Sequence, residues 1–285
     1  MSTRHISHGG NTLELKKFEI EKMVKGYTAA MIAKRGTGKS YLIKDIMFKK
    51  KNIAAAVAIS KTEHMNSFYK DFIPDSYIYS EYKPEILCEI FKRQKLINED
   101  NERRGKEGKK PKDSSLTLIM DDCMSDNKVW LRDKQIGELF FNGRHYNISF
   151  ILTMQYLLGI PPNMRGNLDY IFLLGEDSKI TREKIYKQYA NMFDTYDLFE
   201  QTFEKCTENY GVMVINNRIH STNIPDKVFW YCAKEPPKFR VGSNKFYKFH
   251  SQHYNSEWNK LDETFNPILP KKRQFVKINV EKVKH

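Results

Sequence analysis

Cysteine is scarce in this chain, and the four that occur, Cys88, Cys123, Cys206 and Cys232, form no C-x-x-C pair. That spacing suggests neither a zinc site nor a disulfide framework, and a reducing, intracellular compartment is the expected setting. Long apolar runs are also missing: none approaches the ~20 residues that a membrane-spanning helix needs. Met1 to Asn11 is polar and lacks the apolar core of a signal peptide, so a soluble protein is expected. His145, His220 and His253 show no metal-ligand spacing. No internal repeat, low-complexity tract or N-K-x-D-like guanine signature occurs. Acidic residues are in deficit, 35 Asp and Glu against 48 Lys and Arg, which leaves a formal charge of +13. Such an excess favours a polyanionic partner such as nucleic acid, although net charge does not show where the charge lies.

What is present is enough for a core. The 285 residues are 40% hydrophobic and 13% aromatic, which is globular composition on a chain long enough to bury a substantial interior. Residues 1–25 mix charge with scattered apolar positions, and Leu13–Leu15 with Phe18–Ile20 read as a short edge element. Tyr27–Ala33 is an apolar run ending in a Gly-bearing turn, and Lys39–Lys50 then carries Leu42, Ile43, Ile46 and Met47 at helical spacing.

Asn52–Ser60, Leu116–Met120, Ile148–Thr153 and Tyr170–Leu174 are continuous apolar runs, as expected of strands buried on both faces. Helices are expected over Glu63–Asp71, Glu85–Glu102 behind Pro84, Val129–Phe141, and Ser178–Phe203 with a break near Asn191–Thr195. Asn101–Ser115 reads as a charged loop, and Gly211–Ile215 as the strand that closes the core. Strands alternating with helices predict an α/β fold with a mostly parallel sheet flanked by helices, with ligands bound at the strands' C-terminal ends. The expected organisation is an N-terminal segment (1–25), a core (26–233) and a basic extension (234–285).

The run Ala33-Lys34-Arg35-Gly36-Thr37-Gly38-Lys39-Ser40 follows the phosphate-loop pattern G-x-x-x-x-G-K-[ST], except that Ala33 replaces the first glycine. Backbone N–H groups from Arg35 to Ser40 would wrap a β-phosphate at a helix N-terminus. Lys39 would reach the β- and γ-phosphates of ATP, and the Ser40 hydroxyl would ligate Mg²⁺. The bland reading is an ordinary strand-turn-helix in which G-K-S occurs by chance; a strand expected to end on this loop and a helix expected to begin from it are the arrangement that favours the phosphate loop.

Asp121, at the end of the apolar run LTLIM, is placed to hold Mg²⁺ through water, and Asp122 beside it to orient and polarise an attacking water. A solvent-exposed Asp-Asp turn is the alternative for this pair. Gln155 ends the next strand, where an amide could sense a γ-phosphate or align water, though on position alone a strand-end Gln is more often just a polar terminus.

Together AKRGTGKS, LTLIMDDC and NGRHYNISFILTMQYLLGIPPNMRGNLDYIF resemble the DNA-packaging ATPases of nucleocytoplasmic large DNA viruses, within the FtsK–HerA class of P-loop ATPases. The resemblance spans about Tyr27 to Glu176. It implies an ATP-hydrolysing motor that moves viral double-stranded DNA into the capsid during virion assembly, as a homo-oligomeric ring acting at viral assembly sites in the host cytoplasm or in the virion, with a capsid or portal component as a further partner. It places Asp122 at the catalytic acid, Gln155 at the sensor, and Arg144 at the arginine that closes a neighbouring subunit's site, with Arg165 as the competing candidate. Ala33 departs from the pattern, as does Asp122 where many relatives of the wider class carry Glu.

The extension is strongly basic: Lys234–His285 holds 12 Lys and Arg against 5 Asp and Glu, a net charge of 12 − 5 = +7. Lys238-Phe239-Arg240, Lys245-Phe246-Tyr247-Lys248 and Lys271-Lys272-Arg273 interleave aromatic and basic residues, which suits DNA contact, subunit docking or a solvated tail. Two rival functions remain at this stage: another P-loop nucleotide enzyme, and a structural virion protein that retains the nucleotide-binding fold.

Overall fold

A computed structural model describes residues 3–8, 11–123, 127–155 and 159–255 of the chain. It opens on an antiparallel hairpin, β1 (Thr3–His8) and β2 (Asn11–Lys16), which forms a two-stranded sheet of its own. Eight further strands make the central sheet: β3 (Thr28–Ile32), β4 (Ala55–Ser60), β5 (Ile78–Tyr79), β6 (Leu116–Asp121), β7 (Ile148–Met154), β8 (Tyr170–Leu173), β9 (Gly211–Asn216) and β10 (Val228–Cys232). Their spatial order is β10-β9-β8-β3-β7-β6-β4-β5. All pairings from β8 to β5 are parallel, whereas β9 runs against both its neighbours. β10 therefore points the same way as the parallel strands.

The helices are α1 (Lys39–Lys49), α2 (Glu63–Asn66), α3 (Pro84–Lys106), α4 (Asn127–Trp130), α5 (Lys134–Asn142), α6 (Pro162–Arg165), α7 (Lys179–Tyr189), α8 (Tyr196–Thr207), α9 (Ile224–Lys227) and α10 (Asn244–His253). They cover both faces of the sheet. On one face Leu42, Ile43, Ile46 and Met47 of α1 pack with Phe172, Val214 and Tyr231. On the other, Leu87, Ile90, Leu139, Phe199 and Phe203 of α3, α5 and α8 pack with Phe150 and Ile215. Strands covered on both sides lose any alternation of apolar and polar residues, and β3, β4, β6, β7 and β8 are buried at every position.

Several elements differ from the sequence expectation, each for a local reason. The first hairpin strand carries only Ile6 as a buried hydrophobe, too little alternation to register as a strand. The helix expected over Glu63–Asp71 stops at Asn66: Ser67 is left-handed (φ 47°), and the buried Glu63 carboxylate accepts hydrogen bonds from the backbone N–H of Tyr69 (2.9 Å) and Lys70 (3.0 Å). Val129–Phe141 is divided because Asp133 caps α5 by accepting from Gln135 N–H. α3 runs on to Lys106, into the expected loop, since Glu102, Arg103 and Arg104 are good helix formers. Gly211–Ile215 does not close the sheet. β10 lies outside β9, paired antiparallel from Val228↔Ile215 to Cys232↔Gly211.

Residues after β10 return to the core: Val241 N–H bonds the Phe72 carbonyl at 2.9 Å, Phe239 stacks on Phe72 with ring centres 5.1 Å apart, and Phe246 of α10 meets Tyr77 at 4.2 Å. The basic run Lys271-Lys272-Arg273 lies outside the described residues. Among the described residues, no helix is long and apolar enough to cross a membrane.

Candidate functional site

β3 delivers the loop from Ala33 to Ser40 to the C-terminal edge of the parallel strands, and α1 starts from it. Gly36 (φ 79°) and Gly38 (φ 95°) are both left-handed, a conformation that L side chains rarely adopt, so these two glycines are required by the turn itself. Ala33 is different: it keeps negative φ and extends the ladder by donating to the Met154 carbonyl at 3.0 Å. Ordinary strand backbone makes no demand for glycine there. Gly38 caps α1 without a side-chain acceptor, which leaves the first-turn N–H groups available to an anion. Thr37 Oγ1 donates to the Lys34 carbonyl at 2.7 Å, tightening the loop, and Lys34 pairs with Asp177 across its outer side at 2.5 Å. The Asp177 carboxylate raises the pKa of the exposed Lys34 ammonium, and its own is lowered in return.

Lys39 turns inward. Its Nζ lies 2.7 Å from Asp121 Oδ1 at the end of β6, and the pair is mostly buried, with 19% and 7% of the two side chains exposed. The same oxygen accepts from Thr153 Oγ1 at 2.7 Å, and Thr153 Oγ1 in turn accepts the Asp122 backbone N–H at 3.1 Å. Asp122 is left-handed (φ 57°), which turns its carboxylate off the line of the strand. Gln155, the residue after β7, donates Nε2 to Asp122 Oδ1 at 2.7 Å. One connected chain thus runs Lys39, Asp121, Thr153, Asp122, Gln155. Behind it Tyr69 is buried beside Asp121. Burial first, and then the Asp121 charge, hold that phenol protonated well above the usual tyrosine range.

Lys39, Ser40, Asp121, Asp122 and Gln155 share one cavity of about 790 Å³ with Ala33, Lys34, Arg35, Gly36 and Gly38. The oxygen atoms that Ser40, Asp121 and Asp122 bring to this cavity are hard donors of the kind that suit Mg²⁺ held through one or two carboxylates. No cluster of three or more His, Cys, Asp or Glu side chains that could hold a metal occurs among the described residues.

Arg144 is not part of this assembly within one chain. It lies in the single 3-10 turn Gly143–Tyr146 ahead of β7, and its backbone packs against Gly26 ahead of β3. That is the opposite end of the sheet, on the order of 20 Å away for the seven residues of β7 at ~3.3 Å each. Its side chain is exposed. Arg165 is tied down: Nη1 donates to the Ile160 carbonyl at 3.1 Å, and the guanidinium sits 5.9 Å from the Tyr189 ring centre. Sequence reasoning missed Thr153. Its signal was a hydroxyl in the apolar run Ile148–Met154, one of two with Ser149, and the one two residues before Gln155.

Residues 15–227 match the model of the poxvirus A32 protein family. The chain is 43% identical over 248 residues to protein L437 of Acanthamoeba polyphaga mimivirus, covering 87% of each chain. It is 34% identical over 204 residues to protein 088R of Invertebrate iridescent virus 3, covering 71% of this chain and 74% of that one. Among solved structures, the DNA-packaging ATPase B204 from Sulfolobus Turreted Icosahedral Virus aligns with 74% of this chain and 100% of its own, at 18% identity and a TM-score of 0.49.

Proposed function

The chain belongs to the poxvirus A32 protein family, and we propose that it is an ATP-hydrolysing motor that packages viral double-stranded DNA into the capsid. The observation that carries this reading is the bonded chain from Lys39 to Gln155, which links the phosphate loop to both carboxylates and to the end of the neighbouring strand.

Each residue then has a task. Backbone N–H groups of Arg35 to Ser40 bind the β-phosphate. Lys39 exchanges its Asp121 partner for the phosphates, which would leave Ser40, and Asp121 through water, to hold Mg²⁺. Mg²⁺, when bound, neutralises charge on the β- and γ-phosphates. Asp122 orients a water for attack on the γ-phosphorus and accepts its proton, and Gln155 fixes the carboxylate that does so. Arg144 serves a neighbour's site in a homo-oligomeric ring, where an arginine finger supplies ~10³–10⁵ in rate.

Double-stranded DNA is held through its phosphates by Lys and Arg side chains, in keeping with the net charge of +13, without base reading, so that any sequence can be moved. The motor works at viral assembly sites, in the virion or host cytoplasm, against a capsid or portal component. The test is ATP turnover by the purified protein beside Lys39→Ala. Turnover in the wild type and its loss in the variant, with the fold retained, supports the reading; equal turnover in both removes the phosphate loop from the chemistry.

A further inference from the structure

The cavity that holds the phosphate loop does not end there. It is also lined by Tyr41, Tyr210, Val212, Cys232, Ala233 and Glu235. Sheet topology brings these together. β9 runs against the parallel strands and β10 runs with them, so the start of β9 and the end of β10 reach the same edge as the phosphate loop.

Tyr210 is the most exposed of the large hydrophobic side chains among the described residues, at 71%. It flanks the loop directly: a Cβ added at Gly38 would come 3.7 Å from Tyr210 Cδ1 and 3.8 Å from its Cβ. Its backbone is disfavoured as well. Asn209 (φ 53°) and Tyr210 (φ 59°) are consecutive left-handed residues, and the turn they make is tight enough that a Cβ on Gly211 would lie 2.2 Å from the Cys206 carbonyl oxygen. Asn tolerates that conformation, so Asn209 is explained by the turn; an aromatic residue is not what a left-handed position favours. A bulky ring kept in such a backbone, out in solvent and against a phosphate-loop glycine, is suited to a flat partner that arrives with the phosphates.

We propose that Tyr210 is the base-stacking residue of the nucleotide site, its ring packing on the purine while the loop holds the phosphates. The inference rests on the nucleotide site proposed above. Aromatic stacking accepts any base, since every base has a π face, so Tyr210 supplies affinity for the nucleoside and leaves discrimination between purines to other contacts.

The test compares equilibrium binding of ATP and of inorganic triphosphate, both with Mg²⁺, to wild type, Tyr210→Ala and Tyr210→Phe. Removal of so exposed a side chain leaves no core cavity, and the Phe variant keeps the ring. The expected result is ATP binding weakened about 5- to 150-fold by Tyr210→Ala, the range of aromatic–base stacking. Triphosphate binding stays unchanged, and Tyr210→Phe binds as wild type. Equal weakening of ATP and triphosphate would show that the ring only supports the loop, and unchanged ATP binding would show that it touches nothing; either overturns the proposal. Wild type that binds neither ligand overturns the nucleotide site itself.

Discussion

Gln155 and Asp122 are joined across the ends of two neighbouring strands, the Gln155 amide donating to Asp122 Oδ1 at 2.7 Å. The amide fixes one rotamer of a carboxylate that otherwise sits half-exposed on a left-handed residue. Gln155→Ala removes the orienting donor and touches no phosphate-loop contact. The expected outcome in steady-state kinetics is kcat lower by about 10²-fold, the scale of a misplaced catalytic group, with KM for ATP little changed.

Thr153 satisfies two groups at once, the Asp121 carboxylate and the Asp122 N–H. Thr153→Val keeps the shape and deletes both bonds, which leaves a backbone donor unpaired at a site whose side chain is 1% exposed. Denaturant unfolding is expected to show a loss of about 1–3 kcal/mol. Thr153→Ser, which restores the hydroxyl, is expected to recover most of it.

Arg144 lies too far from its own chain's phosphate loop to act there, so its proposed role is testable by mixing. Arg144→Ala and Asp122→Asn are each expected to bind ATP but turn it over at least ~10³-fold more slowly. Mixed rings regain activity where an Arg144→Ala subunit is closed by the intact Arg144 of an Asp122→Asn neighbour. Mixtures no faster than either variant alone remove the finger assignment.

Buried tyrosines set the alkaline limit of the fold. Burial pushes Tyr189 up to about 12 despite the nearby Arg165, and raises Tyr27, Tyr69 and Tyr231 above the ordinary value of 10.0 as well. With folded pKa values above unfolded ones, these groups contribute full stability below about pH 10 and lose it as pH rises toward the folded values. A tyrosinate absorbance titration is expected to show an early exposed phase and a late phase coincident with unfolding.

The legible part of this fold was the part built from uniform burial. Continuous apolar runs marked β4, β6, β7 and β8, and Gly36 and Gly38 announce the left-handed turn of the loop in their identity. The illegible part depends on partners distant in sequence. β10 is a strand because β9 offers it an antiparallel edge, and the helix expected from Glu63 stops at Asn66 because the Glu63 carboxylate accepts from the N–H groups of Tyr69 and Lys70. Thr153 and Tyr210 carry no motif. Only the register of β6 against β7 sets Thr153 between the two carboxylates, and only the reversed course of β9 sets Tyr210 against Gly38.

The central claim is that hydrolysis at Asp122 is coupled to DNA, and ATP turnover measured with and without double-stranded DNA, wild type beside Asp122→Asn, tests it most directly. The account predicts wild-type turnover stimulated by DNA of any sequence, stimulation that fades with rising salt, and a variant that binds ATP and DNA yet does not turn over. Turnover indifferent to DNA, or undiminished in Asp122→Asn, would contradict it.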